Sequence, residues 1–367
     1  MTRQCARIES QRRLSLHDAA SDNPDMAKRF TLRRALSALL VVVSAFPFTA
    51  SAQSATDSAE GWKLSVAAGP AFALGKAAER WAKLVSERSG GKLQVRVYPG
   101  ATLSSRDPAR EFLALRDGAA DLAVGSTLYW SAQVVDLNVV ALPWLAADDK
   151  DLDALAAGPV AERLLAAVER AGAVPLTLAV LGPHALATSA LPLSPADLAG
   201  MRVRTFWTPL VVDLYVGLGA MPRSLSATDA HAAFRAGTLN AQDGTLAAIA
   251  AARLETFGVK QVLLWGANAE CAVFAANKAA WNAWTQEQRD AARESAIEAA
   301  RELPALVRAE NDAAQSELSQ HGVTITRLTA AGRAAFAAAA RSTYDKWAAR
   351  VDPELLRAAE AAVRRTR

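Results

Sequence analysis

Residues 201–207, MRVRTFW, place two arginines in a segment with the alternation of a β-strand. Successive side chains of a strand point to opposite faces, so Arg202, Arg204 and Phe206 share one face. A guanidinium is always charged and can hold a carboxylate through two parallel hydrogen bonds. Arg204 is therefore a candidate anchor for an acidic ligand. A structural ion pair with a neighbouring Asp or Glu is the alternative.

His184 is a second polar residue at a place where ligands bind. It lies in the loop after the predicted strand VPLTLAVLG, residues 174–182, and Arg204 is expected near the end of its own strand. Ligands of open α/β sheets bind outside the carboxyl ends of the strands. Both side chains are therefore expected on the ligand-binding edge of a sheet.

Motifs for phosphate, metal or covalent chemistry do not fit. GPAFALGK, residues 69–76, has five residues between Gly69 and Gly-Lys where a P-loop has four, and a strand-to-helix turn explains it better. His184, His231 and His321 have no His or Cys partner at metal-ligand spacing, and the last two are expected to be structural. There is no G-x-S-x-G or H-E-x-x-H motif. We expect no catalytic residue, no metal and no cofactor, and Cys271 is predicted to be a buried, apolar side chain.

The positive charge of the chain lies in its first residues. Of 41 basic and 37 acidic side chains, residues 1–52 hold 8 and 4, which leaves 33 of each in the remainder. A neutral body without a basic cluster argues against nucleic-acid binding.

The first 52 residues have the pattern of a leader. From Met26, four basic residues precede a mainly apolar run of 14 residues, 35–48, and Ala50-Ser51-Ala52 fits a cleavage site. The run is too short to span a bilayer comfortably. We predict a cleavable signal peptide that ends at Ala52, with Met26 as the true start, and hence export.

The elements that position these residues alternate along the chain. Predicted strands at 62–69, 92–100 and 121–127 are separated by predicted helices at 75–91 and 107–120. This β-α-β-α-β order predicts an α/β fold with a mostly parallel sheet covered by helices. The length of the chain fits two domains better than one.

A much longer helix is predicted near the C-terminus. Thr285 and Gln288 form a capping box, and helical residues run to about Gln320. Such a helix is roughly 50 Å long and can lie across two domains. Pro304 is expected to kink it or to break it in two.

Six segments, in order along nearly all of the chain after the leader, carry a family resemblance: KLQVRVYPGATL, ALRDGAADLAVGST, LPWL, SPADLAGMRVRTFW, GLGAMPRSLSATDAHAAFRAGTLNAQDG and NKAAWNAWTQEQRDAARESAIEAA. Together they resemble the DctP family, the solute-binding proteins of tripartite ATP-independent periplasmic (TRAP) transporters. The resemblance implies a receptor in the periplasm that captures a small organic acid. It would deliver this ligand to TRAP membrane permease subunits driven by an ion gradient, without a nucleotide.

The family fold implied is a two-domain α/β periplasmic binding protein. It has two mostly parallel sheets flanked by helices, a cleft between them and a long C-terminal bracing helix. Domain I would hold residues 53–181 and about 269–305, and domain II residues 182–268 and about 306–367.

The resemblance also implies the ligand site. Arg204 would bind the ligand carboxylate, and the segment 240–244, NAQDG, would lie beside the ligand. This chain has Pro183-His184 where many members carry a second arginine, and Gly244-Thr245 where many have Asn-Pro. We therefore expect one carboxylate anchor and not a double clamp.

Aromatic residues near predicted strand ends would shape the pocket, and core packing is the alternative for each. Asp243 would receive a ligand amine or hydroxyl, or would cap a helix. The candidate ligand-binding residues are Arg204, Trp207, Gln242, Asp243, Tyr129, Trp130, His184 and Phe72.

Two other functions fit the same scaffold. One is a periplasmic ligand sensor that signals without transport, and the other is an exported enzyme. The scarcity of histidines disfavours the enzyme.

Overall fold

The computed structural model describes residues 61–146, 148–205 and 208–366. The predicted signal peptide lies outside the described residues, as do Phe206 and Trp207. The described residues form two mixed sheets with many covering helices, which confirms the α/β class.

The strands of the described residues are β1 (Trp62–Val66), β2 (Val95–Tyr98), β3 (Leu122–Ser126), β4 (Ala173–Pro183), β5 (Ala185–Thr188), β6 (Arg202–Thr205), β7 (Met221–Ser224), β8 (Ala241–Gly244), β9 (Gln261–Leu264), β10 (Ala269–Asn277) and β11 (Thr324–Arg327).

The helices are α1 (Ala73–Arg88), α2 (Glu111–Arg116), α3 (Thr127–Trp130), α4 (Asn138–Ala141), α5 (Asp149–Leu155), α6 (Gly158–Arg170), α7 (Pro209–Gly217), α8 (Ala227–Arg235), α9 (Leu246–Ala251), α10 (Lys278–Ala283), α11 (Gln286–Gln320), α12 (Ala330–Ala339), α13 (Arg341–Ala348) and α14 (Pro353–Thr366).

The first sheet has the order β2-β1-β3-β10-β4 and the second β11-β9-β5-β8-β6-β7. Strands β10 and β5 run antiparallel to both of their neighbours, and the other pairs are parallel. Each of these two strands follows directly on a strand of the other sheet, without a helix between them. Parallel neighbours need a crossover connection, usually a helix, such as those predicted from the sequence. A strand that the chain reaches directly from the other sheet has no such crossover and can run antiparallel to its neighbours.

The chain passes from one sheet to the other at two short connections. His184 alone separates β4 of the first sheet from β5 of the second, and residues 265–268 lead back from β9 to β10. The backbone N–H of His184 donates to the carbonyl of Asn268 at 2.9 Å, so the connections are hydrogen-bonded to each other. His184 is thus placed between the sheets by the backbone itself.

The long helix α11 contacts elements of both sheets. It has 35 residues, about 52 Å, and begins at the predicted capping box of Thr285 and Gln288. It packs against α1 and β4 of the first sheet and against α9 and β11 of the second. The helix continues through Pro304, so the expected break does not occur. Packing on both sides of the proline offsets the hydrogen bond that it cannot donate.

The buried side chains of the described residues form three apolar clusters, one of which includes residues from both sheets. Cys271 is fully buried in it, as predicted. The last helix, α14, packs against α5 and α6, which lie beside β4 of the first sheet. The division of the chain into two domains stays a prediction. The contacts of α14 place residues 353–366 beside helices of the first sheet and not with the second sheet.

Candidate functional site

Arg204 lies near the carboxyl end of β6, as predicted from the sequence. Its Cα partner on the neighbouring parallel strand β8 is Gln242. Side chains at paired positions of a sheet point to the same face, so Arg204 and Gln242 share one face of the second sheet. Nε of Arg204 donates to the carbonyl of Leu225 at 3.1 Å, which holds the plane of the guanidinium.

The side chain of Arg204 is partly buried. Burial lowers the pKa of Arg204, and the nearby Tyr129 and Asp243 partly offset this effect. An arginine stays charged under such a shift. Arg202 of the same strand is different, because its guanidinium donates to the carbonyls of Thr238 and Gly237 at exposed positions.

His184, Asp243 and Glu270 form a buried bridge between the two sheets, which we call the His184 bridge. Nδ1 of His184 lies 2.7 Å from Oδ1 of Asp243, on β8 of the second sheet. Its Nε2 lies 3.4 Å from Oε1 of Glu270, on β10 of the first sheet. The three residues are 3%, 0% and 8% exposed.

Two hydroxyl groups extend the His184 bridge at its ends. The hydroxyl of Tyr215, on α7, donates to Oδ2 of Asp243 at 2.9 Å. The hydroxyl of Ser126, at the end of β3, donates to Oε2 of Glu270. Both oxygens of each carboxylate are therefore engaged by protein groups.

The charge state of the bridge follows from its partners. Burial alone would lower the pKa of His184, but the charge of Asp243 and hydrogen bonds to Asp243 and Glu270 raise it to about 10. This raised pKa favours the imidazolium form at neutral pH, in which both ring nitrogens are donors. Burial, followed by the charge of Asp243, raises the pKa of Tyr215, so its hydroxyl remains a donor.

Tyr129 connects the Arg204 region with the bridge. It stands on α3 after β3, and burial, followed by the charge of Glu270, raises its pKa. Arg204 and Asp243 also act on that pKa. Tyr129, on a helix that packs against the first sheet, thus lies in the same electrostatic surroundings as Arg204 of the second sheet.

The predicted site residues do not all meet at this place. His184 contacts Asp243, and Gln242 is the strand partner of Arg204. Tyr129 is linked to Arg204 and Asp243 by their effect on its pKa. Trp207 lies outside the described residues.

Trp130 is buried in the core. Its ring packs edge-on against Phe112, with 5.2 Å between the ring centroids, and its indole N–H is directed at Glu111. Core packing, the alternative reading of Trp130, fits the structure. Phe72 precedes α1 as its N-cap residue, and within the described ranges no hydrogen bond or ring contact joins it to the His184 bridge.

Sequence reasoning missed Glu270 and Tyr215. A signal for Glu270 existed, because it is the lone acid in the apolar run ANAECAVFAAN, which forms a fully buried strand. Tyr215 gave no signal, since it continues the apolar pattern of α7.

Buried polar groups near the site lack a hydrogen-bond partner among the described residues. They include the hydroxyls of Thr205 and Thr208, which flank the undescribed Phe206-Trp207 pair, and the side-chain amide of Asn268. A buried polar group without a partner is costly, so such groups point to a bound ligand or water.

A groove of about 290 Å³ borders the bridge on the side of α11. His184, Pro183 and Trp265 lie on one wall, and Arg308 and Asp312 of α11 on another. Among the described residues, no group of His, Cys, Asp and Glu has an arrangement suited to a metal ion. Within the same ranges, no helix combines the length and apolarity that crossing a membrane requires.

The profile of bacterial extracellular solute-binding proteins of family 7, DctP, matches residues 64–350. This match covers most of the chain and all the elements that build the site.

Among solved structures, a TRAP periplasmic solute-binding protein from Ralstonia eutropha H16 is similar, with 38% identity and a TM-score of 0.79. The similarity covers 83% of this chain and 99% of that one, which holds bound (S)-2-acetolactate. A TRAP protein from Chromohalobacter salexigens, with bound d-glucuronate, shares the fold at 23% identity and a TM-score of 0.75. That likeness covers 82% of this chain and 99% of the other.

A curated relative, protein y4mM of Sinorhizobium fredii, is 31% identical over 179 residues. The match covers 48% of this chain and 33% of the relative. The chain thus spans about a third of the length of that relative.

Proposed function

Because the chain belongs to the DctP family of TRAP solute-binding proteins, we propose that it is a periplasmic receptor that captures a small organic acid through Arg204. Members of this family are transport proteins and not enzymes, and solved relatives hold carboxylate ligands. The single observation that carries the proposal is the position of Arg204. It stands at the carboxyl end of β6, beside Gln242 and within the electrostatic reach of Tyr129.

The ligand would be held by charge and by orientation together. Nε of Arg204 donates to the carbonyl of Leu225, and a guanidinium is shaped to bind a carboxylate through two parallel hydrogen bonds. Gln242 supplies an amide with both donor and acceptor atoms beside it. Thr208 and Asn268 offer further polar contacts to a ligand hydroxyl or carbonyl.

The ligand class proposed is a compact monocarboxylate with one or two further oxygen atoms. The acetolactate-binding relative is the more similar of the two solved structures described above, and its ligand carries one carboxylate, one hydroxyl and one ketone. One arginine at the end of β6 matches one carboxylate, and the unpartnered polar groups match the additional oxygens.

Capture would be coupled to closure of two domains built on the two sheets. The only direct strand-to-strand connections in the described chain are His184 and residues 265–268, and both lie beside the site. Short connections of this kind allow a hinge, and a ligand that contacts both sides favours the closed state. The closed form would then deliver the acid to TRAP permease subunits in the membrane.

A thermal-shift screen tests the binding function. The protein expressed from the full-length sequence is screened with (S)-2-acetolactate, other 2-hydroxy acids, succinate and d-glucuronate. A ligand at about 100 times its Kd stabilises by roughly 2.7 kcal/mol, which moves the melting temperature by several degrees.

Arg204→Ala should abolish the shift while the protein stays folded, and Arg202→Ala is the matched control on the same strand. Near-wild-type affinity of Arg204→Ala would remove the anchor, and no shift with any acid would contradict the receptor function.

A further inference from the structure

The His184 bridge has an unusual charge arrangement. Two carboxylates, Asp243 and Glu270, come from different sheets and meet on opposite nitrogens of one imidazole. All three side chains lie in the interior. Asp243 follows Gln242, the strand partner of Arg204, and its charge acts on the pKa of Arg204. Two buried carboxylates without a cation between them would repel each other and any anion nearby.

We propose that His184 is a positioning residue for ligand binding: as a cation between Asp243 and Glu270, it cancels charge that would repel a carboxylate at Arg204. This inference rests on the proposed function. His184 itself does not need to touch the ligand, because each of its ring nitrogens already faces a carboxylate.

The other ionisable groups around the bridge do not supply this cation. Tyr215 and Tyr129 are neutral, since burial and neighbouring carboxylates raise the pKa of both hydroxyls. Arg204 is assigned to the ligand carboxylate in the proposed function, so its charge does not balance the bridge. The groove on the other side is bordered by three acidic and three basic residues, whose charges cancel: Asp148, Asp149, Asp312, Arg308, Arg327 and Arg333.

The same geometry connects the two sheets. Asp243 belongs to β8, Glu270 belongs to β10, and His184 sits on the connection between β4 and β5. A protonated imidazole bonded to both acids therefore links the first sheet, on which α3 with Tyr129 packs, to the second sheet, which carries Arg204. The raised pKa of His184 keeps this bond throughout the neutral range, so wild-type binding is expected to be independent of pH between about 5.5 and 8.5.

His184→Gln tests the charge, because glutamine keeps a similar length and hydrogen-bonding capacity. We expect the Kd for (S)-2-acetolactate, measured by calorimetry at pH 8, to rise by about tenfold or more. Binding should recover as the pH falls to about 5.5, because a carboxylate without its cation takes up a proton more readily. His231→Gln is the matched control, since its ring lies on α8 and bonds to the carbonyl of Ala252, and it should leave affinity and pH profile unchanged.

A second variant separates charge from structure. Adding Glu270→Gln to His184→Gln removes one negative charge together with the positive one. If charge balance is what matters, the double variant regains affinity and loses the pH dependence of the single variant. A folded His184→Gln protein with wild-type affinity and a flat profile would overturn the proposal. A double variant that binds no better than the single one would do the same.

The wild-type protein provides a test that needs neither a substitution at His184 nor a ligand. Nitrogen-15 NMR of the ring nitrogens distinguishes imidazolium from neutral imidazole, and His17→Gln, His231→Gln and His321→Gln identify the signals of the other three histidines. A doubly protonated His184 at pH 8 supports the proposal, and a neutral ring overturns it. Failure of the wild type to bind any acid would contradict the proposed function, while the NMR result would still decide the charge of His184.

Discussion

Arg204 and Gln242 are Cα partners on the neighbouring parallel strands β6 and β8, so their side chains point to the same face of the second sheet. Asp243, the next residue of β8, points to the opposite face, where Tyr215 and His184 bind its carboxylate. One short strand thus supplies a polar neighbour for the arginine and an acid for the His184 bridge. This division of roles explains why adjacent residues contribute differently to the site.

Arg204→Lys should weaken binding although the charge remains. A lysine ammonium is a point charge and cannot form two parallel hydrogen bonds to one carboxylate. We expect the Kd for the acid identified in the thermal-shift screen to rise about tenfold or more, equivalent to about 1.4 kcal/mol, when measured by calorimetry. Arg202→Lys on the same strand should bind like the wild type. Equal affinities for the two variants would argue against fork-shaped recognition.

Gly125→Ala should destabilise the protein through Trp130. Gly125 lies in β3, and a Cβ added there would overlap the indole ring of Trp130. The ring belongs to the packed core and cannot move without displacing Phe112. We expect the free energy of unfolding to fall by about 1–3 kcal/mol in urea titrations.

Gly69→Ala is the matched control for this substitution, because a Cβ at Gly69 would meet no atom within 4 Å. Its unfolding should be close to that of the wild type. If Gly125→Ala were as stable as Gly69→Ala, the packing of Trp130 against β3 would be wrong.

Glu111 should make stability depend on pH. It is fully buried, and this burial raises its pKa from 4.5 to about 7 despite hydrogen bonds from Ser65 and Trp130. A carboxyl whose pKa is higher in the folded state stabilises fully below pH 4.5, and this contribution is lost as the pH rises through 7. The loss amounts to about 3 kcal/mol.

Glu111→Gln removes that titration, so the decrease in unfolding free energy between pH 4.5 and 8 should become smaller than in the wild type. Urea titrations at several pH values measure it. Glu162→Gln, at an exposed position of α6, should keep the wild-type slope. A Glu111→Gln profile parallel to the wild-type one would show that Glu111 does not titrate in this range.

Glu310→Ala should loosen the start of α1. The N-cap residue Phe72 offers no side-chain hydrogen bond, and Oε1 of Glu310 on α11 accepts from the N–H of Ala73 at 2.9 Å instead. Loss of such a cap costs about 1 kcal/mol. Thermal or urea unfolding measures the change.

Glu294→Ala, at an exposed position of the same helix, is the control for the loss of this cap. The carboxylate of Glu294 lies 3.6 Å from Nε of Arg88 at the surface, and an exposed ion pair of this kind contributes little to stability. Equal stability of the two variants would contradict capping of α1 by α11.

Several elements of the fold followed from local sequence because their causes are local. The capping box of Thr285 and Gln288 marks the start of α11, and alternating residues mark the strand around Arg204. Of the two outcomes expected at Pro304, a kink or a break, the break does not occur. A proline disfavours a helix locally, but the contacts of α11 with both sheets are tertiary and keep the helix continuous.

The sequence by itself determined the α/β class, the family and Arg204 as the candidate anchor, because strand alternation, helix caps and residue chemistry act over a few positions. Only the tertiary structure decided what surrounds that anchor. His184 is 59 residues from Asp243 and 86 residues from Glu270 along the chain, and the two sheets bring them together. It also placed Trp130 in the core. Such contacts depend on sheet order and on the two connections between sheets, which no local pattern specifies.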